Sequence, residues 1–228
     1  MPAAMPQLGL LMLQTRFPRP PGDIGHPGTF GFPVRQRMVH GATPVRVVRA
    51  SDAALLQPFI DAAQALCAEG CAAIATSCGF LACWQRELQA AVPVPVWSSA
   101  LLQLAEAQAQ GRRCGVITIE AASLGPAHFE GVGADPATPV EGITPGSALH
   151  RTLLQDLPTL DEVEAQAQVL AAARRLRARE PALDTLVLEC TNLPPYAQAL
   201  RDASGLPVLD VVTMVNRRMA GLAASAAR

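Results

Sequence analysis

The chain has 228 residues, 50% of them hydrophobic and only 16% charged, with a net charge of −1. That length suits one large domain or two small lobes with a substantial core, and the composition is that of a packed protein, not a disordered one. With no basic patch, nucleic acid is excluded as an expected partner; the densest cluster, Arg174, Arg175, Arg177 and Arg179, shares its helical stretch with Glu164 and Glu180 and reads as a solvated face.

Residues 8–14 read as a first strand. The apolar run in it is too short to cross a membrane, and the first charge, Arg16, comes after it, where a secretion signal begins with basic residues. A cytoplasmic, membrane-free location is therefore expected. The six cysteines, Cys67, Cys71, Cys78, Cys83, Cys114 and Cys190, should then be free thiols. Residues 15–43, rich in proline and glycine but carrying Phe17, Phe30 and Phe32, fit neither strand nor helix. They read as a lid or pocket wall, or else as a disordered excursion.

Residues 45–49 read as a second strand. Asp52 is placed to cap a helix running to Glu69 and closed by Gly70. A strand at 71–76, a helix at 81–91 ending before Pro93, and a strand at 94–97 follow. Ser98 or Ser99 starts a helix to Gln110, closed by Gly111. Residues 113–119 form the next strand. Thr159 with Glu162 reads as a capping box for a helix to Arg179, stopped by Pro181. Strands at 186–189 and 206–210 alternate with helices at 194–203 and 212–224. Short runs that are apolar on both faces, alternating with helices, imply an α/β fold with parallel sheets covered on both sides.

The halves repeat. Ala73-Ile-Ala-Thr-Ser-Cys78 and Thr185-Leu-Val-Leu-Glu-Cys190 are apolar strands that both end at a cysteine, 112 positions apart. The same interval separates Pro95 from Pro207, each just before a helix, and Gly9 matches Gly115 at an interval of 106. Two similarly folded lobes follow. The first takes residues 1–100 with a strand and helix of 205–228 returning to it, and the second takes 101–204.

Cys78 and Cys190 each fall between a strand and a helix, at the carboxyl end of a parallel strand, where open α/β sheets bind ligands. A helix start nearby favours thiolate and offers backbone N–H groups to a carboxylate; Gly79 lets a ligand approach its amide. Removing a proton beside a carboxylate needs one base, one acid and preorganised donors for the enolate-like charge. Inversion requires base and acid on opposite faces, which two equivalent lobes would supply. The other four cysteines read as packing residues, with no histidine completing a metal set. His26, His40, His128 and His150 read as surface or loop residues without metal spacing. Tyr196 is either a pocket wall or helix packing. Arg16 is either a carboxylate partner or a surface arginine. No phosphate-binding glycine motif follows the first strand.

At the two cysteines, Thr-Ser-Cys78-Gly and Glu-Cys190-Thr-Asn, with a glycine-bearing first strand and the Gly115-Val116-Ile117 strand, the sequence resembles the aspartate/glutamate racemase superfamily over nearly its whole length. The resemblance implies two pseudo-symmetric, Rossmann-like lobes with the site between them, no pyridoxal phosphate and a possible homodimer; no cofactor or metal is expected. It implies that Cys78 and Cys190 exchange a proton with the substrate Cα. It also implies that Thr76, Ser77 and Gly79 form a carboxylate-binding turn, with Thr191 and Thr118 beside the substrate. Phe80 and Asn192 stand where glutamate racemases carry other residues, and Gln14-Thr15-Arg16-Phe17-Pro18 replaces their Asp-Ser turn; these departures argue against glutamate as substrate. The expectation is an isomerase, a racemase or epimerase of a small carboxylate-bearing substrate. The alternatives are an isomerase or decarboxylase of the same superfamily, or a non-catalytic small-acid binding protein.

Overall fold

A computed structural model describes residues 5–226. Two four-stranded sheets, all parallel, form the frame. The first has the order β2-β1-β3-β4, from β1 (Leu8–Leu13), β2 (Val34–Val39), β3 (Ala73–Thr76) and β4 (Val96–Trp97). The second has the order β6-β5-β7-β8, from β5 (Cys114–Thr118), β6 (Val140–Gly142), β7 (Thr185–Leu188) and β8 (Val208–Leu209). The helices are α1 (Leu56–Ala68), α2 (Gln85–Ala90), α3 (Leu101–Ala109), α4 (Pro126–Val132), α5 (Ala148–Leu154), α6 (Glu162–Arg179), α7 (Ala197–Ser204) and α8 (Val211–Ala226). Every residue of β1, β3, β5 and β7 is buried, as parallel strands covered on both faces require.

The expected α/β fold with two repeated sheets is present, and the repeat extends to register. Gly9 pairs with Ile74 in the first sheet and Gly115 with Leu186 in the second. A Cβ on Gly9 would lie 2.6 Å from Ile74 Cδ1 and 3.1 Å from Leu66 Cδ1 of α1; one on Gly115 would lie 2.9 Å from Leu176 Cδ2 of α6. In both halves, then, a glycine lets a helix press directly onto the central strand.

Several local expectations differ. Residues 45–49 form a π-helical turn, not a strand; the adjacent Val47 and Val48 are buried while Arg46 and Arg49 lie outside, a helical rather than an alternating pattern. The segment 15–43 contains β2, an edge strand whose Arg35 and Arg37 reach Glu69. An edge strand of this kind is protected by its charges and carries no apolar run for a sequence reading to detect. Helices α4 and α5 and the three-residue β6 also went unread. Asp161, not Thr159, caps α6, accepting the Glu164 N–H at 2.9 Å. The C-terminal strand does not return to the first lobe: β8 pairs with β7. The helix after it does touch that lobe, with the Arg218 guanidinium 5.8 Å from the centre of the Trp97 ring.

Of the histidines read as surface residues, His128 and His150 are buried. His128 meets the Phe80 ring edge-on at 5.3 Å, and His150 Nε2 lies 3.3 Å from Glu120. All six cysteines are free thiols. Among the described residues no helix is long and apolar enough to cross a membrane.

Candidate active site

The hydrogen-bond ladders run one residue past β3 and β7. Ser77 N–H donates to Leu11 O at 2.9 Å, and Glu189 N–H donates to Ile117 O at 3.0 Å. The next residue in each half is the cysteine, so equivalent ladders deliver Cys78 and Cys190 to equivalent strand ends. The two thiols line one cavity between the sheets. Its apolar wall is made by Leu13, Phe17, Pro44, Val48, Ile119 and the Leu153–Leu154 pair of α5, with Phe80 beside Cys78. None of the lining residues is charged. The free space is small, about 30 Å³.

Burial pushes both thiols well above their ordinary pKa, and the charge of nearby Glu189 pushes the same way. Against this, the Phe80 N–H donates to Cys78 and the Asn192 N–H to Cys190. The Asn192 side chain adds an asymmetry. Asp23, 1% exposed, accepts from Arg19 Nη1 at 2.9 Å, from Gly25 N–H at 2.7 Å and from Asn192 Nδ2 at 2.7 Å. A carboxylate only accepts, so the amide must turn its nitrogen to Asp23 and its oxygen to Cys190. The Cys190 S–H therefore donates to Asn192 Oδ1, with 3.7 Å between sulfur and oxygen. Cys190 is held as a thiol; among the described residues Cys78 has no such side-chain acceptor.

Of the residues expected at the site, Cys78, Cys190, Ser77, Gly79, Phe80, Thr191 and Asn192 line the cavity. Ser77 and Thr191 are occupied in holding the frame. Ser77 Oγ accepts the Leu13 N–H at 2.9 Å, and the Thr191 hydroxyl crosses between lobes to Ser77 O at 2.6 Å. Three others lie elsewhere. Thr76 is fully buried behind the cavity, its hydroxyl 2.6 Å from Ser98 O. Thr118 donates to Glu189 Oε2 at 2.6 Å and faces that carboxyl instead of the cavity. Arg16 has a side chain 77% exposed and pairs with Asp156 at 3.3 Å.

Sequence reasoning missed Glu189, whose only signal was a charged residue inside an apolar strand-end run. It also missed Asp23 and Arg19, which reach the site through a loop. That segment is packed: Phe17 lines the cavity, Asp23 holds Asn192, and Gly22 sits against Pro195. Tyr196 is buried and is not among the residues lining the cavity.

Two parallel sheets in pseudo-symmetric array, each presenting a strand-end thiol to one interlobe cavity, define the class: an α/β protein of the two-lobed racemase fold. The comparisons with known proteins give the family. The Asp/Glu/Hydantoin racemase model matches residues 41–218, and this chain belongs to that family. Dimethylsulfoniopropionate lyase 5 and dimethylsulfoniopropionate lyase 7 of Emiliania huxleyi (strain CCMP1516) are similar over most of it. The first is 28% identical over 238 residues, 93% of this chain and 45% of that protein; the second is 30% identical over 236 residues, 95% and 67% respectively. This chain thus spans about half to two thirds of the length of these relatives. Among solved structures, arylmalonate decarboxylase shares the fold with a TM-score of 0.65 and 16% identity, over 96% of this chain and 92% of that one.

Proposed function

We propose that this chain is an enzyme that moves a proton at a carbon next to a carboxyl or carbonyl group, with Cys78 as first base and Cys190 as acid. The observation that carries this reading is the single cavity lined by both thiols at equivalent strand ends. Cys78 thiolate takes the Cα proton; the bonding pair moves into the carboxylate as an enolate-like charge; the Cys190 S–H returns a proton to the other face, inverting the carbon. The hydrogen bond from Cys190 to Asn192 supports this division of roles.

A second reading shares the first step. If the neighbouring carbon bears a leaving group such as a sulfonium, the same electrons expel it and an unsaturated acid remains. The likeness to dimethylsulfoniopropionate lyases over more than nine-tenths of the chain favours this reading, as do two aromatic rings, Phe17 and Phe80, on a wall that would receive a cation.

The test is incubation in deuterated water with small 2-substituted carboxylic acids and with dimethylsulfoniopropionate. A racemase or epimerase incorporates deuterium at Cα while the enantiomers interconvert; a lyase releases dimethyl sulfide, read by gas chromatography. Replacing Cys78 or Cys190 by alanine is expected to lower turnover by roughly 10²–10⁴-fold, the contribution of a positioned acid or base. Turnover that survives in both variants would falsify the two-thiol reading.

A further inference from the structure

We propose that Glu189 is a positioning residue for this proton transfer, an ionisable wedge between the two thiol-bearing turns whose charge state decides whether a thiol beside it can become a thiolate. The proposal rests on the two-thiol reading above, but its own test needs no substrate. Glu189 is fully buried. Its Oε2 accepts the Thr118 hydroxyl at 2.6 Å, and its Oε1 has no hydrogen-bond partner among the described residues.

The pseudo-symmetry shows what the side chain replaces. Shifting by the repeat interval, Gly79 corresponds to Thr191 and Ser77 to Glu189. The Thr191 hydroxyl reaches across to Ser77 O at 2.6 Å. On the other side of the axis the counterpart of Thr191 is Gly79, which has no hydroxyl to cross. A Cβ on Gly79 would collide with both the carbonyl oxygen and Oε1 of Glu189. Glu189 folds its own carboxyl into the space where a side chain at position 79 would stand, immediately beside the residue that follows Cys78. It is also the residue that precedes Cys190. One carboxyl therefore borders both cysteines.

Such a group has no structural need of an acid, since an unpartnered buried oxygen costs stability. What the carboxyl adds is a charge that can be switched. Burial brings its pKa to about 7, with the Thr118 hydroxyl opposing, and its charge stands next to burial among the causes that raise both thiols. The other charged or titratable groups facing the set are Cys83 and Arg19, which act on Cys78, and Asp23, which acts on Cys190. With Glu189 ionised, a thiolate would be a second buried anion; with Glu189 protonated, it is the first. The three acids thus titrate as one set.

The experiment is the pH profile of alkylation of Cys78 and Cys190 by iodoacetamide, followed by peptide mass spectrometry on the full chain. In the wild type the rate is expected to climb about tenfold per pH unit at first, then to level off near pH 7 as Glu189 ionises and makes each thiol harder to ionise. In Glu189→Gln the climb continues through that region without a break, leaving the variant at least about tenfold faster than wild type at pH 9. A purely structural carboxyl would produce no break. A wild-type profile that rises without a break overturns the proposal, and this holds even if Glu189→Gln does not fold. A variant profile superimposable on the wild type overturns it equally. Because alkylation is read without turnover, these results stand apart from the fate of the two-thiol mechanism itself.

Discussion

Glu189 couples the site to the stability of the fold. Its pKa rises from an ordinary 4.5 to about 7 because burial disfavours the charged form. The folded chain thus keeps a proton that the unfolded chain releases. The stability this represents is fully present below pH 4.5 and is lost as pH rises through 7, a change of roughly 3 kcal/mol. Asp210, which burial also raises, works in the same direction, and the buried His128, whose pKa burial lowers, works against it, so the difference between wild type and Glu189→Gln isolates the share of Glu189. Burial pushes Glu106 and Glu141 up, but their paired arginines outweigh it and hold both below the ordinary range, so their contributions are lost only in more acidic solution. Calorimetry should show the melting temperature of the wild type declining more, relative to Glu189→Gln, as pH rises from 5 to 8. Equal slopes in the two proteins would contradict the assignment.

The proline- and glycine-rich segment after β1 acts as a wall, and its most buried polar anchor is an acid. Asp23 is that acid: it holds Arg19, whose side chain is 12% exposed, and through Asn192 it orients the acceptor facing Cys190. Breaking a buried ion pair by removing one partner leaves the other charge uncompensated, at a cost of about 3–5 kcal/mol. Asp23→Ala is expected to loosen residues 15–33, so limited proteolysis should cut there faster than in the wild type while β3 and β7 stay protected. Cleavage at an unchanged rate would show that the segment is held by its aromatic packing instead. The segment contains Phe17 in the cavity wall and a Phe30–Phe32 stack at 5.1 Å, the same aromatic residues that read in the sequence as a lid or pocket wall.

The free space beside the thiols is small, about 30 Å³. Admitting a carboxylic acid therefore requires contacts over the cavity to open. The Thr191–Ser77 hydrogen bond and the Arg49–Glu120 pair at 3.3 Å join the lobes. Arg16 and Asp156 join the first loop to the turn after α5. That last pair is exposed and weak, so Arg16→Ala should speed alkylation of Cys78 by no more than about fivefold at low salt. The difference should vanish at high salt, where the pair is screened in the wild type as well. A salt-independent effect would place the gate elsewhere.

The strand-end cysteines, the 112-residue repeat and the parallel sheets were all legible in the chain, because each is written as a contiguous apolar run with a fixed terminus. Residues 45–49, β2 and β6 were not, since a short amphipathic turn and edge strands take their conformation from neighbours distant in sequence. Only tertiary structure decided that Thr118 serves Glu189 rather than a ligand, that Asp23 reaches Asn192 across 169 positions, and that Arg16 faces solvent. Local patterns specify which residues are buried in a strand; which buried polar groups meet is set by the packing of two lobes, where a hydrogen bond left unmade costs more than any local preference supplies.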